Sequence, residues 1–373
     1  MKILINLSTL KRGGGQNVGL NFLSSLDAIE FKDFSFCFFV AKDSQCHQYL
    51  AKKKDVKYKI LPNNPLARIF FEFFLTRRFF LEEKIDVIYT YFGIGVFPKK
   101  IPQVSGSADS NLYFPEINFW SHYSGLNRLK KRIIDAYRIW GLKRADAVIF
   151  ENISMEERSR KLFNLKNTKF IMPSINFEKK NDESELSFNN KPKGLFLCSW
   201  QLNKNITIIP EIAFHLKKEG ISFEFIITAP LDGSAEFIEF KEKVKFYSVE
   251  SYINLIGTVK KNDLSCLYEN IDFVFLLSKL ESFSNNIIEA WYYKKLLIIS
   301  DEVWARSICC EGALYINRDD AKLIANTIKK HLRDLKLRKI IIENANIEIL
   351  KYPTINERTL QELTYLKKIY ENN

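Results

Sequence analysis

The stretch IDFVFLLSKLESFSNNIIEAWYYKKLLIIS (271–300) holds two glutamates, Glu281 and Glu289, separated by eight positions. FVFLL before them and LLIIS after them read as short continuous apolar runs, the pattern of strands buried on both faces of a parallel sheet. Between the runs, SFSNN is small and polar, and NNIIEAWYYKK has helical spacing. The order strand, loop, helix, strand is therefore a β/α unit, with Glu281 in the loop at the strand's carboxyl end. Ser284 or Asn285 is placed to cap the helix, and Glu289 falls in its first turns. The free N–H groups of a helix start form an anion site suited to phosphate. A carboxylate beside it can accept hydrogen bonds from a sugar diol. Phosphate flanked by polyhydroxyl groups is the shape of a sugar nucleotide.

Outward from this unit the alternation continues in both directions. In the first half, MKILINLS, FSFCFFVA, IDVIYTYF, IPQVSGSAD and DAVIFEN read as strands. GGGQNVGLNFLSSL, LARIFFEFFLTRRFFLEEK (66–84) and LNRLKKRIIDAYRIWGLKRA read as helices between them. The pattern lapses into a polar linker near 174–193. It resumes with strands GLFLCSW, FEFIITA, YINLIGTV, IDFVFLL, LLIIS and GALYIN, interleaved with helices that run on to the end. Such alternation predicts an α/β fold of two doubly wound, Rossmann-like domains facing each other across a cleft. The expected boundaries are 1–175 and 190–350, with 351–373 a closing helix that returns to the first domain. A chain of 373 residues fits two cores better than one.

Composition narrows the class. Residues 1–190 carry 30 Lys and Arg against 20 Asp and Glu, and residues 191–373 carry 26 against 24, together the net +12 of the chain. Basicity concentrated in the first half points to an anionic partner there. A lysine-rich genome is the alternative source. No apolar run reaches the roughly 20 residues of a membrane span, and the amino terminus reads as a first strand rather than a signal peptide. Cys37, Cys46, Cys198, Cys266, Cys309 and Cys310 are scattered without metal-ligand spacing and are expected to be buried thiols in a reducing, cytoplasmic compartment. His47, His122, His215 and His331 likewise show no metal spacing, and no metal or other cofactor is expected.

The motif IGTVKKNDLSCLYENIDFVFLLSKLESFSNNIIEAWYYKKLLIIS resembles the donor-domain core of the family-4 retaining glycosyltransferases, which have the GT-B fold. The start ILINLSTLKRGGGQNVGLNFLSSL and the ending ANIEILKYPTINERTLQELTYLKKIY resemble the family's first β/α unit and closing helices. The likeness is closest over 250–300, looser at the amino terminus and faint over 40–190. It implies a metal-independent hexosyltransferase of bacterial surface polysaccharide synthesis, of the lipopolysaccharide or capsule kind. A sugar would pass from a nucleotide-diphosphate donor to a glycan acceptor, expected to be lipid-linked through a polyprenyl chain, at the inner face of the cell membrane.

By the same resemblance, Glu289 holds the ribose hydroxyls and Glu281 contacts the transferred sugar. Ser284 and the N–H groups of Asn285 and Asn286 face the diphosphate and sugar, and Gly257 and Val259 line the donor site. Lys204, in SWQLNKNITII, matches the lysine that meets the diphosphate, where a point charge offsets the phosphoryl charge that grows as the glycosidic bond breaks. A solvated residue opening a helix is the plainer reading of Lys204. The arginine usual about five residues earlier is absent, and Ser199 or Gln201 stands in its place. Arg306 or Lys279 is then the candidate second cation.

Gly14 and Gly15, in GGGQ, join a strand to a helix, where amides without an obstructing Cβ can approach phosphate. The run is not G-x-G-x-x-G and no acidic residue follows at dinucleotide spacing, so a nicotinamide site is not expected. Where many relatives have a histidine, this chain has Asp109 amid Ser105, Ser107 and Ser110. Asp109 either orients an acceptor hydroxyl or caps the next turn. The helix over 66–84, with six phenylalanines and Arg68, Arg77 and Arg78, either packs into the first domain's core or lies on a membrane, and the basic stretch 127–144 is a second candidate for lipid or lipid-diphosphate contact. A sugar-nucleotide epimerase of the same fold and a non-catalytic subunit of a transferase are the competing readings. Nucleic-acid binding has no recognised module to support it.

Overall fold

The computed structural model describes residues 1–11, 13–29, 32–64, 67, 70, 71, 76–95, 100–175 and 191–373. The chain divides into two units, Met1–Asn176 with Tyr352–Asn373, and Phe177–Lys351. Each is built on one sheet. The first holds β1 (Lys2–Asn6), β2 (Ser35–Ala41), β3 (Tyr58–Leu61), β4 (Val87–Thr90), β5 (Gln103–Ser107), β6 (Ala147–Phe150) and β7 (Thr168–Phe170) in the order β3-β2-β1-β4-β5-β6-β7. The second holds β8 (Lys193–Phe196), β9 (Glu224–Ile227), β10 (Ile253–Leu255), β11 (Phe273–Leu276), β12 (Leu296–Ser300) and β13 (Leu314–Ile316) in the order β10-β9-β8-β11-β12-β13. Every pairing among these strands is parallel.

The helices of the first unit are α1 (Gly14–Ala28), α2 (Gln45–Ala51), α3 (Thr76–Glu83), α4 (Gly125–Arg144) and α5 (Ile153–Phe163). Those of the second are α6 (Ile209–Lys218), α7 (Ala235–Tyr247), α8 (Leu264–Glu269), α9 (Asn285–Tyr292), α10 (Val303–Cys309), α11 (Ala321–Arg333) and α12 (Leu335–Ile349). The closing helix α13 (Ile355–Glu371) belongs to the first unit.

Strand alternation sorts the first unit's core into two layers. Ile3, Ile5, Phe38 and Val40 face one side with Phe22 and Leu23 of α1, whereas Leu4, Cys37 and Phe39 face the other with Phe79 and Phe80 of α3. Both sides are buried, which is why β1 is apolar through Ile3, Leu4 and Ile5 and β2 from Phe36 to Ala41. The helix expected over 66–84 lies partly outside the described residues. Within them, α3 packs Phe79 against Phe39 with ring centroids 5.2 Å apart, the core arrangement. Most of the expected linker near 174–193 also lies outside them.

In each sheet the strand order reverses once, between β1 and β4 and between β8 and β11. At such a switch point the connecting loops run to opposite faces and open a crevice at the strands' carboxyl ends. Gly194 lets β8 and β11 pair closely here, since a Cβ would come within 2.4 Å of the Phe275 ring. Phe196 and Phe275 stack across the pairing with centroids 4.8 Å apart.

The cysteines depart from expectation. All six are free, but Cys266 and Cys310 are exposed and Cys198 is half-buried. Cys266 lies on the outer side of a short helix and Cys310 ends α10 with a positive φ of 45°, so neither turns into a core. Burial does push the Cys37 thiol up to about 12 and the Cys46 thiol to about 11.

A capping box at Thr354 and Glu357 starts α13. Leu363, Leu366 and Ile369 then enter the core of the first unit. Beside them Arg358 is buried between two carboxylates, at 2.7 Å from Glu151 and 2.9 Å from Glu362. Tyr91 donates its hydroxyl to Glu362 over 3.1 Å. Removing the arginine leaves two buried carboxylates without their cation. Arg358→Ala is therefore expected to destabilise the first unit by about 3–5 kcal/mol, measured by chemical denaturation, whereas truncating the exposed Lys367 nearby should cost little.

Candidate functional site

In the second unit the switch point sets two turns side by side. One leaves β8 and closes in the 3-10 turn Leu202–Lys204; the other leaves β11 and reaches Glu281. Asn203 ties them together. Its side-chain amide donates to the Leu280 carbonyl over 2.8 Å and accepts from the Leu280 N–H at 3.0 Å, while its own carbonyl accepts from Lys279 N–H at 2.8 Å. Arg318 adds a second clamp, donating to the carbonyls of Asn203 and Leu277. Asn205, in the left-handed region at φ 55°, donates in turn to the Arg318 carbonyl over 2.7 Å.

The result is an ion pair. Lys204 Nζ lies 2.5 Å from Glu281 Oε1, with both side chains about four-fifths covered (21% and 16% exposed). Lys204 is thus drawn into the crevice rather than solvated at a helix start. Cys198 packs partly buried against the second unit's core, and burial pushes its thiol up to about 12 against a smaller opposing pull from Lys204.

From the Glu281 loop the chain enters α9. Ser284 holds the N-cap position, but its hydroxyl makes no capping bond; the Ile287 N–H bonds the Ser284 carbonyl instead. This corrects the expectation of a side-chain cap at Ser284 or Asn285. The first N–H groups of the helix, those of Asn285 and Asn286 among them, point out of its end. The Asn286 side chain donates to the Leu197 carbonyl over 2.9 Å, which fixes the helix start against the end of β8. One turn on, Glu289 accepts the Tyr268 hydroxyl over 2.7 Å, and Tyr268 stacks on Tyr293 at 5.0 Å. Burial, and after it the Glu289 carboxylate, raises the Tyr268 hydroxyl well above its ordinary range, so it stays a donor to Glu289.

The remaining expected residues are placed as follows. Gly257 has φ 72° and is buried just after β10, and Val259 follows it half-buried. Arg306 is paired with Asp301 at 2.5 and 2.9 Å and lies over the Tyr315 ring at 4.3 Å. Among the described residues no contact joins Arg306 to Lys204 or Glu281. The cation that meets Glu281 is Lys204.

In the first unit, Gly13 takes φ 72° and turns the chain into α1, whose first residues are Gly14 and Gly15. A Cβ at Gly14 would meet nothing, and one at Gly15 only the Leu10 side chain at 3.3 Å, so openness rather than strain distinguishes these two positions. Asp109 follows β5 and precedes a 3-10 turn that it does not cap through its side chain. Its carboxylate instead faces Arg138 of α4 at 3.3 Å. Burial raises its pKa against that partner's pull. The capping reading of Asp109 is therefore replaced by an ion pair.

Asn203, Arg318 and Tyr268 escaped the sequence reading. Asn203 and Lys204 are neighbours in a polar run with nothing to rank one above the other. Arg318 and Tyr268 meet their partners from 41 and 21 positions away. Among the described residues no group of three or more His, Cys, Asp or Glu is arranged to hold a metal. Asn203→Ala removes two hydrogen bonds from the backbone of buried Leu280, and is expected to cost the second unit about 1–3 kcal/mol in urea unfolding. Asn203→Asp, which keeps the acceptor but loses the donor, should fall between.

Residues 177–347 match the family model described as Glycosyl transferases group 1. Over the whole chain the fold is similar to that of solved proteins of the GT-B class. Sucrose-phosphate synthase from Thermosynechococcus elongatus is 14% identical, with a TM-score of 0.74 and 100% of both chains covered. A glycosyltransferase from Rickettsia africae ESF-5 is 16% identical, with a TM-score of 0.74, covering 100% of this chain and 99% of the other. Anabaena HepE, solved in complex with UDP-glucose, is 18% identical at a TM-score of 0.70, covering 98% and 100%. At these identities the shared property is the fold. By sequence, the tRNA(Met) cytidine acetate ligase of Clostridium botulinum (strain Okra / Type B1) is 29% identical over 147 residues. That is 39% of this chain, and the chain spans only 30% of the ligase.

Proposed function

We propose, from the premise that residues 177–347 form a glycosyl transferase group 1 domain, that this protein transfers a sugar from a nucleoside-diphosphate donor to a hydroxyl acceptor. The observation that carries the proposal is the Lys204–Glu281 pair at the switch point, next to the open start of α9. Phosphate, sugar and ribose each have a counterpart within one strand-end crevice. The solved complexes of Anabaena HepE with UDP and with UDP-glucose support a donor of this chemistry for the shared fold.

In this reading the amides of Asn285 and Asn286 receive the diphosphate, and Glu289, held by Tyr268, accepts from the ribose diol. Lys204 exchanges Glu281 for a phosphoryl oxygen. Glu281, released, accepts from hydroxyls of the transferred sugar. Gly257 and Val259 border the nucleotide. Charge on the leaving diphosphate is offset by Lys204 and the helix amides, without a metal ion. Arg306 is held by Asp301 and is left out of this assignment.

Transfer proceeds with retention. The bond from the anomeric carbon to the β-phosphate oxygen breaks as the acceptor oxygen bonds the same face. The acceptor proton passes to the departing phosphate oxygen, so no glutamate acts as nucleophile. The acceptor is a lipid-linked glycan of a bacterial surface polysaccharide, a reading supported by the basic balance of residues 1–190. Gly14 and Gly15 are assigned to the donor's phosphates, which amides without an obstructing Cβ can approach, and Asp109 to the acceptor hydroxyl.

Glu289→Ala is expected to raise the KM for donor, because a diol contact acts in ground and transition states alike. Glu281→Ala should chiefly lower kcat. Donor-concentration series on both variants separate the two, and parental kinetics in both would refute the assignment. Lys204→Ala should lower kcat by roughly 10²-fold or more. Full activity in Lys204→Ala together with loss in Arg306→Ala would move the cationic role to Arg306.

A further inference from the structure

The long helix α4 is turned inside out. A surface helix ordinarily buries its apolar stripe and shows its charges to water. In α4, Leu126, Leu129, Ile133, Tyr137 and Trp140 recur at spacings of three and four and so share one face, yet they are 41–75% exposed. The opposite face, apart from Leu142 buried near its end, is polar and engaged with the first unit. Asp135 accepts from Asn111 at 2.9 Å and from the Trp120 indole at 2.6 Å. Arg138 reaches Asp109 and Asp135, Arg128 donates to the carbonyls of Ser121 and Tyr123, and Lys131 lies over Trp120 at 4.8 Å. These contacts fix which way the helix faces, so the apolar stripe is outward by construction.

We infer that this outward face docks on an anionic lipid membrane. Charge selects the occupant. Lys130, Arg132 and Lys143 are exposed along the stripe's flanks, and the one acidic residue of α4, Asp135, is turned inward. A second copy of the same face would oppose cation to cation. Anionic headgroups complement it, at about a factor of five in binding per cation near the surface. The stripe's aromatic end, where Tyr137 and Trp140 stack at 5.7 Å with Arg144 over the indole at 4.8 Å, has the amphipathic character of side chains that settle at headgroup depth. Twenty helical residues lying flat present about 30 Å to such a surface, and no helix among the described residues is long and apolar enough to cross one. The inference stands on α4 alone and does not depend on glycosyl transfer.

Sedimentation of the full chain with phosphatidylcholine vesicles, with and without phosphatidylglycerol, tests it. Binding should require phosphatidylglycerol and weaken as salt rises. Leu129→Ser/Ile133→Ser/Trp140→Ser should weaken it at least tenfold, and Lys130→Ala/Arg132→Ala/Lys143→Ala roughly 100-fold. Phe246→Ser, at a still more exposed site of the second unit, should change nothing. Circular dichroism confirms that each variant is folded. The parent's tryptophan fluorescence should shift to the blue on anionic vesicles and lose that shift in Trp140→Phe. Failure to bind anionic vesicles, or binding that the folded stripe variants retain, overturns the inference. So does a dimer of the parent that the serine variant renders monomeric, because the face would then be a contact between copies.

Discussion

The pairing of β8 with β11 is the constraint on which the candidate site rests. These strands are far apart in sequence, yet Gly194 lies beside Phe273 and Leu195 beside Val274. The approach depends on a missing side chain at Gly194 and on the Phe196–Phe275 stack. Because the strand order reverses here, the two chains leave the sheet in neighbouring turns that can be cross-tied without crowding. Asn203 then sets the depth at which Lys204 and Glu281 meet. A lysine and a glutamate 77 positions apart become one polar unit at the mouth of a helix start.

Two ion pairs in the molecule illustrate opposite uses of charge. Arg358 is buried among Glu151, Glu362 and Tyr91, where water cannot replace a lost partner, and this network fastens α13 to its unit. Lys204–Glu281 keeps about a fifth of each side chain exposed, and Glu281 lies in the loop that leads into α9. A pair in that position holds both side chains in place at modest cost and can exchange partners when a stronger anion enters. The first pair serves stability, and the second is the one proposed to serve recognition.

Much of this was legible in the sequence because buried parallel strands announce themselves. FVFLL, LLIIS and KILIN are apolar at successive positions and correspond to β11, β12 and β1. The edge strands β3 and β7 were not read, since YKIL and TKF are short and carry lysine where an inner strand would not. Helix α5 was missed because its inward face is polar, with Ser154, Glu156 and Ser159 buried. Helix α7 was missed because Ile238 and Phe246 are exposed while Phe240 and Val244 are buried, which blurs its period. Of the site, the placement of Glu281 at a strand end and of Glu289 in the helix that follows came from local pattern, and that of Lys204 from the family resemblance. Their mutual geometry did not, because it is created by pairing between distant strands and by Asn203, Arg318 and Tyr268. The orientation of α4 was equally hidden: its stripe is visible in sequence, but only packed neighbours show that it faces out.

The central claim is that the crevice at the β8–β11 switch point receives a nucleoside diphosphate and that Lys204 leaves Glu281 to do so. Hydrogen–deuterium exchange of the full chain, with and without saturating uridine, guanosine and adenosine diphosphates and their sugars, tests it most directly. At least one of these ligands should slow exchange at the start of α9, around Asn285 and Asn286, and in the turn carrying Lys204. That protection should be lost in Lys204→Ala and in Glu289→Ala. Protection elsewhere in the chain, or protection at these segments that survives both substitutions, would contradict the account.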